Sequence, residues 1–490
     1  MFSNKTILLI ICFVLIKFNA NAQTVEWGNP QRQKGKTNYS QILGENFWGI
    51  FLIRCRDNDF QKNVVIEKYK SNLTLESAKE MPLTIPGTIE KVLLIGDRVF
   101  VFLSAKNVSS DKIDVLVQKL DMNLNIDGGL TTIASINENQ IGYRSNFYIK
   151  NSSDKSKIGL MFLTTSPEKN RSTLNMFTYN IELQQIYGKR FELNYDDRDV
   201  FITNYDLDNS GNSFLLLDYP KDLKRRKDFD PRVFFLNAYF HQSDKMLEYE
   251  LGSGEKSIEE LGMCINNFNK EVNVVGFFSN ENNGKIAGYF NLNIDISSTE
   301  IRNKVYDTIP MNIFSKQSFI RNGGNDLTDM FIRKLAPRSD GGCMMVAEKY
   351  FQTRQSYTYY VNGFAQTNSR TVFNYNDVML LSFNKNGSIQ FCNIIPKEQQ
   401  SVSDGGYYSS IAPVITNDNI YTLFNGDVNQ EGDIMLNMSN YAGKSENKVL
   451  VKAVNQSSLL IPRETKQTSA NSIIACTIRE KRFTLMRVTF

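Results

Sequence analysis

The chain has 490 residues, 41% of them apolar, with 56 Lys plus Arg against 52 Asp plus Glu and a formal net charge of +4. That balance argues against a nucleic-acid binder, which would carry a concentrated basic face. The single histidine, His241, leaves little room for the general-base and metal-ligand chemistry that histidine supplies near neutral pH.

The chain opens on the pattern of an export signal. Lys5 is followed by an unbroken apolar run from Ile7 to Ile16 and by the small residues Ala20-Asn21-Ala22. The run is about half of the ~20 residues that a membrane span needs. Residues 1–22 therefore read as a signal peptide and 23–490 as one exported domain. Its address is periplasmic, outer-membrane-associated or extracellular, and no later stretch reads as a membrane span. The next segment, TVEWGNPQ (Thr24 to Gln31), looks like a lone β-strand without a hairpin partner.

An internal repeat then runs down the chain. An apolar or aromatic residue, two variable residues and Asn or Ser recur as YKSNLTL (Tyr69 to Leu75), LDMNLNI (Leu120 to Ile126), FTYNIEL (Phe177 to Leu183) and FHQSDKM (Phe240 to Met246). The pattern continues as FNLNIDI (Phe290 to Ile296), FNKNGSI (Phe383 to Ile389) and VNQSSLL (Val454 to Leu460). Asn and Ser suit a tight turn, because the short side chain bonds nearby backbone and Asn accepts a left-handed conformation. A second series places two apolar runs around a polar turn, as in LLIGDRVFVFL and YDLDNSGNSFLLL. Each unit thus reads strand A, tight turn, strand B, loop, strand C, Asn turn, strand D. Four antiparallel strands repeated at roughly 50 residues make an all-β fold, a β-propeller.

Seven units have the full set, and the tail NSIIACTIREKRFTLMRVTF adds two strands. Pairing of Thr24 to Pro30 with the C-terminal strand would close the ring and remove an open sheet edge. Eight blades is the favoured count. Seven is the alternative, if the tail instead completes the seventh blade.

SDGGCMMVAEKY followed by NDVMLLSFNKNGSIQFCNIIP, within residues 339–396, resembles the repeat of secreted bacterial β-propeller proteins. That resemblance implies an extracytoplasmic binding or scaffolding role and fixes no activity.

The five cysteines after the signal, Cys55, Cys264, Cys343, Cys392 and Cys476, lie in apolar runs without C-x-x-C spacing and read as buried hydrophobes. His241 falls in a turn. DLDNSGN (Asp206 to Asn212) begins like a calcium loop but has Leu217 where the bidentate Glu belongs, so no metal is expected. No cofactor is implied.

Function is expected on the face that carries the B–C and D–A connections. The fourth unit inserts YPKDLKRRKDFDPR, the sixth QTRQSYTYYVNGFAQTNSRTVFNYN and the seventh DVNQEGDIMLNMSNYAGKSENK between B and C. The D–A connections PMNIFSKQSFIRNGGND and KEQQSVSDGGYYSS join them. The candidate binding residues are Arg354, Tyr357, Tyr359, Tyr360, Phe364, Tyr375, Asp377, Asp404, Tyr407 and Tyr408. Tyrosine offers large contact area at low entropic cost, which suits protein or glycan recognition. The competing interpretation is that these tyrosines merely pack the insertion onto the ring. Ser339 to Gly342 and Ser403 to Gly406 share the sequence SDGG. The first reads as an A–B turn on the opposite face, and only the second, through Asp404, as part of the site. A non-catalytic binding or scaffold protein with a protein partner at the cell envelope is the first reading. A carbohydrate-active or glycan-binding protein using acidic and tyrosine residues on the same face is the alternative.

Overall fold

The computed structural model describes residues 23–31, 39–56, 61, 63–141, 146–166, 171–193, 195, 199–220, 232–252, 256–280, 284–310, 327–362 and 364–490. Residues 1–22, expected to be a signal peptide, the basic run Leu223 to Lys227 and the D–A insertion 311–326 lie outside them.

Among the described residues the strands form eight antiparallel sheets, seven of them ordered A-B-C-D as the chain runs. Sheet one is Tyr39–Asn46, Gly49–Cys55, Val65–Tyr69 and Leu75–Glu80. The A strands of sheets two to eight are Thr88–Ile95, Tyr148–Asn151, Phe201–Leu207, Ser257–Asn266, Met330–Pro337, Ala412–Ile415 and Leu459–Ser469. Sheet eight takes three strands from the C-terminal end and its fourth from Thr24–Trp27, which pairs with Arg482–Thr489. This is β-propeller architecture.

Alternation explains how the sheets stack. In GIFLIRC of sheet one, Phe51 and Ile53 point to sheet two, while Ile50 and Leu52 point to sheet eight. A strand buried on both faces reads as a continuous apolar run rather than an alternating one. Eight apolar clusters among the described residues each straddle two successive sheets, and one of them joins sheet eight to sheet one. Cys55, Cys264, Cys343 and Cys476 are buried and Cys392 is half-buried, all as free thiols. His241 stacks on Tyr187 in the C–D turn of sheet four, with ring centroids 5.0 Å apart.

Three readings of the repeat need correction. FNLNIDI is not a turn. It lies largely within strand C of sheet five, Gly288–Asp295, where buried Asn293 donates to Asn273 Oδ1 at 2.9 Å. VNQSSLL holds the helical turn Ala453–Gln456 and the start of strand A of sheet eight. The seventh C–D turn comes earlier, where Asn440 Oδ1 accepts the backbone N–H groups of Ala442 and Lys444 at 3.1 and 2.9 Å. The supposed seventh insertion therefore contains strand C, Ile434–Asn440, and Leu459–Ser469 joins the two strands of the tail as strand A of sheet eight. Asparagine misled the reading because it serves strand interiors here as well as turns.

The turns themselves also differ from expectation. Leucine, not asparagine, takes the left-handed conformation: Leu73, Leu124 and Leu183 have φ of 64°, 62° and 67°. Each donates its N–H back to residue 70, 121 or 180 and buries its side chain between sheets. Burial of a whole leucine outweighs the ~1–2 kcal/mol cost of that backbone region.

Candidate functional site

The sixth sheet departs from the others. Its B and C strands, Cys343–Val361 and Phe364–Phe383, are 19 and 20 residues long. Their first and last parts are ordinary blade, buried on both faces. A register shift between Glu348 and Tyr350 marks where the pair leaves the sheet, and pairing then continues to Val361 opposite Phe364. The result is a two-stranded arm. Cross-strand bonds keep it straight: Arg354 Nε donates to Ser369 Oγ at 2.9 Å, and Arg370 Nη2 to Gln355 Oε1 at 3.0 Å. Tyr357 and Tyr359 share one face, with ring centroids 6.1 Å apart. Tyr360 and Phe364 at the end are 75% and 76% exposed.

The foot of the arm is built differently. A short strand, Gln399–Val402, pairs with Val372 to Tyr375 and broadens the base. Beneath it Glu348 and Lys397 form an ion pair at 2.9 Å, with side chains 0% and 1% exposed. Lys397 Nζ also donates to the Tyr375 carbonyl at 2.7 Å and to Gln399 Oε1 at 3.0 Å. The other Glu348 oxygen accepts from Arg333 Nε at 2.7 Å and from Ser410 Oγ at 2.6 Å. Burial lowers the Lys397 pKa, and the facing carboxylate of Glu348 works against that shift. One network thus binds strand A, strand B and the D–A connection of sheet six.

The ten residues expected at the site divide accordingly. Arg354, Tyr357, Tyr359, Tyr360 and Phe364 are exposed on the arm. Tyr375 and Asp377 are buried in its foot. Tyr375 packs on Tyr350 with centroids 4.5 Å apart, and burial pushes its hydroxyl up to about 12. Asp377 accepts the Lys397 backbone N–H at 3.0 Å. Tyr407 and Tyr408 are half-buried against the cluster between sheets one and eight, and Tyr407 donates to Glu464 at 2.6 Å. Burial, then the neighbouring Glu464, raises both hydroxyls.

Asp404 is exposed, yet it performs turn chemistry, accepting from the Gly406 N–H at 2.8 Å and from Ser401 Oγ at 2.6 Å. Asp340 in the other SDGG accepts the Gly342 N–H at 3.0 Å in the same way. The two copies share one local job. Their last glycines are both crowded, but by different neighbours: a Cβ at Gly406, at φ 65°, would stand 2.4 Å from the Tyr375 ring, and one at Gly342 2.1 Å from the Phe383 carbonyl oxygen.

Glu348, Lys397, Arg333 and Arg463 escaped the sequence reading. Glu348 carried a signal, as the acid of the charged pair Glu348-Lys349 inside the otherwise apolar run CMMVAEKYF. Pro462 carried another, since proline within a strand marks a bulge. Among the described residues, no group of three or more His, Cys, Asp or Glu is placed to hold a metal, and no helix is long and apolar enough to cross a membrane.

No protein-family model matches the chain, and no curated protein matches it. Solved structures similar to it include the WD40 domain of SCAP from fission yeast, at 10% identity and a TM-score of 0.41, covering 96% of this chain and 98% of that one. The β-propeller domain of the Trilobed protease from Pyrococcus furiosus matches at 10% identity and 0.36, covering 82% and 94%. Prolyl oligopeptidase B from Galerina marginata matches at 10% identity and 0.42, covering 90% of this chain and 55% of that one.

Proposed function

We propose that this chain is an exported, non-catalytic binding propeller, an eight-bladed ring closed by its N-terminal strand, whose arm engages a protein partner at the cell envelope. The observation that carries this reading is the arm. An isolated two-stranded hairpin is marginally stable in water, and this one ends in exposed aromatic rings while its foot is locked into the ring. Tyr357, Tyr359, Tyr360 and Phe364 provide anchors of the type that dominate protein interfaces. Burying the two rings at the tip would contribute about 3–6 kcal/mol to association before ordering costs.

Deleting Gln355 to Arg370 leaves the foot and Gln399–Val402 in place. The variant is expected to keep its melting temperature within about 2 °C and to lose its specific partners in pull-downs from envelope extract read by mass spectrometry. Capture of the same proteins by both forms, or unfolding of the deletion, would sink the proposal.

A further inference from the structure

The first strands of sheets six, seven and eight border an open cavity of about 630 Å³ beside the foot of the arm, within the size range of small-ligand pockets. Arg333, Lys334, Arg463 and Lys466 line it, together with Ser409 and Ser410. Its wall contains a local departure from the repeat. In strand A of sheet eight the register jumps from Ile461, opposite Cys476, to Lys466, opposite Ile474, so Pro462 to Thr465 bulge outward. Bulges of this kind re-aim side chains next to sites. This one sends Arg463 to the cavity, where it donates to the Gly405 and Gly406 carbonyls at 3.1 and 2.5 Å. Glu464 turns the other way, onto the Ser40 N–H at 3.0 Å and the Tyr407 hydroxyl.

Positive charge here is only partly compensated, with Arg333 paired to Glu348 at 2.7 Å. Glu348 is committed to Lys397, Arg333 and Ser410. Glu45 pairs with Arg487. Burial works against the charged forms of Glu90, Asp206, Glu260 and Glu464. Among the described residues, the side chains of Lys91, Lys150, Lys334 and Lys466 have no carboxylate within ion-pair distance. These lysines come from the A strands of sheets two, three, six and eight, and they converge. Burial lowers Lys91, Lys334 and Lys466, the last to about 8, and in each case other lysines lower it further. Gathering like charges in a partly desolvated space costs stability unless something offsets them. Nothing in the fold requires Lys334, whose side chain makes no hydrogen bond among the described residues.

We propose that this cavity binds a small organic anion carrying at least two phosphate or carboxylate groups, held between Arg333 and Arg463 on one side and Lys334 and Lys466 on the other. Guanidinium groups take such oxygens bidentately, and lysines add point charge. The site is independent of the arm.

Thermal shift and calorimetry of the full exported chain with sodium pyrophosphate and with trisodium citrate, each against sodium chloride of equal ionic strength, test this. A melting-temperature rise of about 2 °C or more with pyrophosphate alone assigns phosphate chemistry, and with citrate alone carboxylate chemistry. Either result, or both, supports the site. Lys334→Met and Lys466→Met should each weaken binding about tenfold, and Lys334→Met should not lower the melting temperature of the ligand-free protein. Deleting Gln355 to Arg370 should leave anion binding unchanged, which separates this proposal from the role of the arm. No shift beyond the chloride control with either probe overturns the proposal, as does undiminished binding in the Lys334→Met, Lys466→Met double variant.

Discussion

Removing one partner of the Glu348–Lys397 pair should be among the most damaging single changes in the sixth sheet. Lys397→Met keeps the side-chain volume and deletes an ammonium whose donors reach Glu348, the Tyr375 carbonyl and Gln399 Oε1 at 2.9, 2.7 and 3.0 Å. Glu348 retains Arg333 and Ser410, so its carboxylate is not wholly abandoned. Breaking a buried pair from one side typically costs about 3–5 kcal/mol. Arg333 moves the estimate to the lower end of that range, and the lost bond to the Tyr375 carbonyl, at ~1 kcal/mol or more, moves it back up, while Gln399 Oε1 keeps the Ser410 N–H at 2.9 Å. About 3–4 kcal/mol is therefore expected. Glu348→Met alone should cost about as much, because it strands both Lys397 and Arg333. The double variant should cost less than the sum by about 1.5–3 kcal/mol, since each change removes the other's unpaired charge. Urea unfolding followed by circular dichroism measures the three values. Hydrogen exchange should place the lost protection in Cys343 to Phe383 and Gln399 to Ser410. A cost below about 1 kcal/mol for Lys397→Met, or additivity within ~0.5 kcal/mol, would refute the reasoning.

Two further outcomes follow from the packing. Leu124→Gly relieves a φ of 62° but empties a fully buried site. Cavity formation, at about 2–5 kcal/mol, exceeds the ~1–2 kcal/mol of relief. The variant should be less stable in urea, and a gain would show that backbone strain dominates these turns. Glu464 is buried and its pKa is raised, chiefly by desolvation. A carboxyl raised on folding contributes stability below its unfolded pKa of ~4.3 and loses it as pH climbs through the raised value. The melting temperature of Glu464→Gln relative to the parent should therefore rise with pH across that window, and a flat or falling difference would contradict the assignment.

The amino-acid sequence was sufficient for the all-β class, the A-B-C-D unit and the pairing of the first strand with the last. Apolar alternation and turn chemistry are local, and they recur once per blade. The same locality produced the errors. FNLNIDI and VNQSSLL match the turn pattern residue by residue, yet one is largely buried strand and the other opens a new blade. The arm was legible as an insertion, because Tyr357, Tyr359, Tyr360 and Phe364 lie in one stretch. Its foot and the cavity were not. Glu348 and Lys397 are 49 positions apart, and Lys91, Lys150, Lys334 and Lys466 sit in four different sheets. What a residue repeats along the chain is decided by its neighbours in sequence. Which charges meet is decided by the stacking of sheets, and no spacing in the sequence encodes that distance.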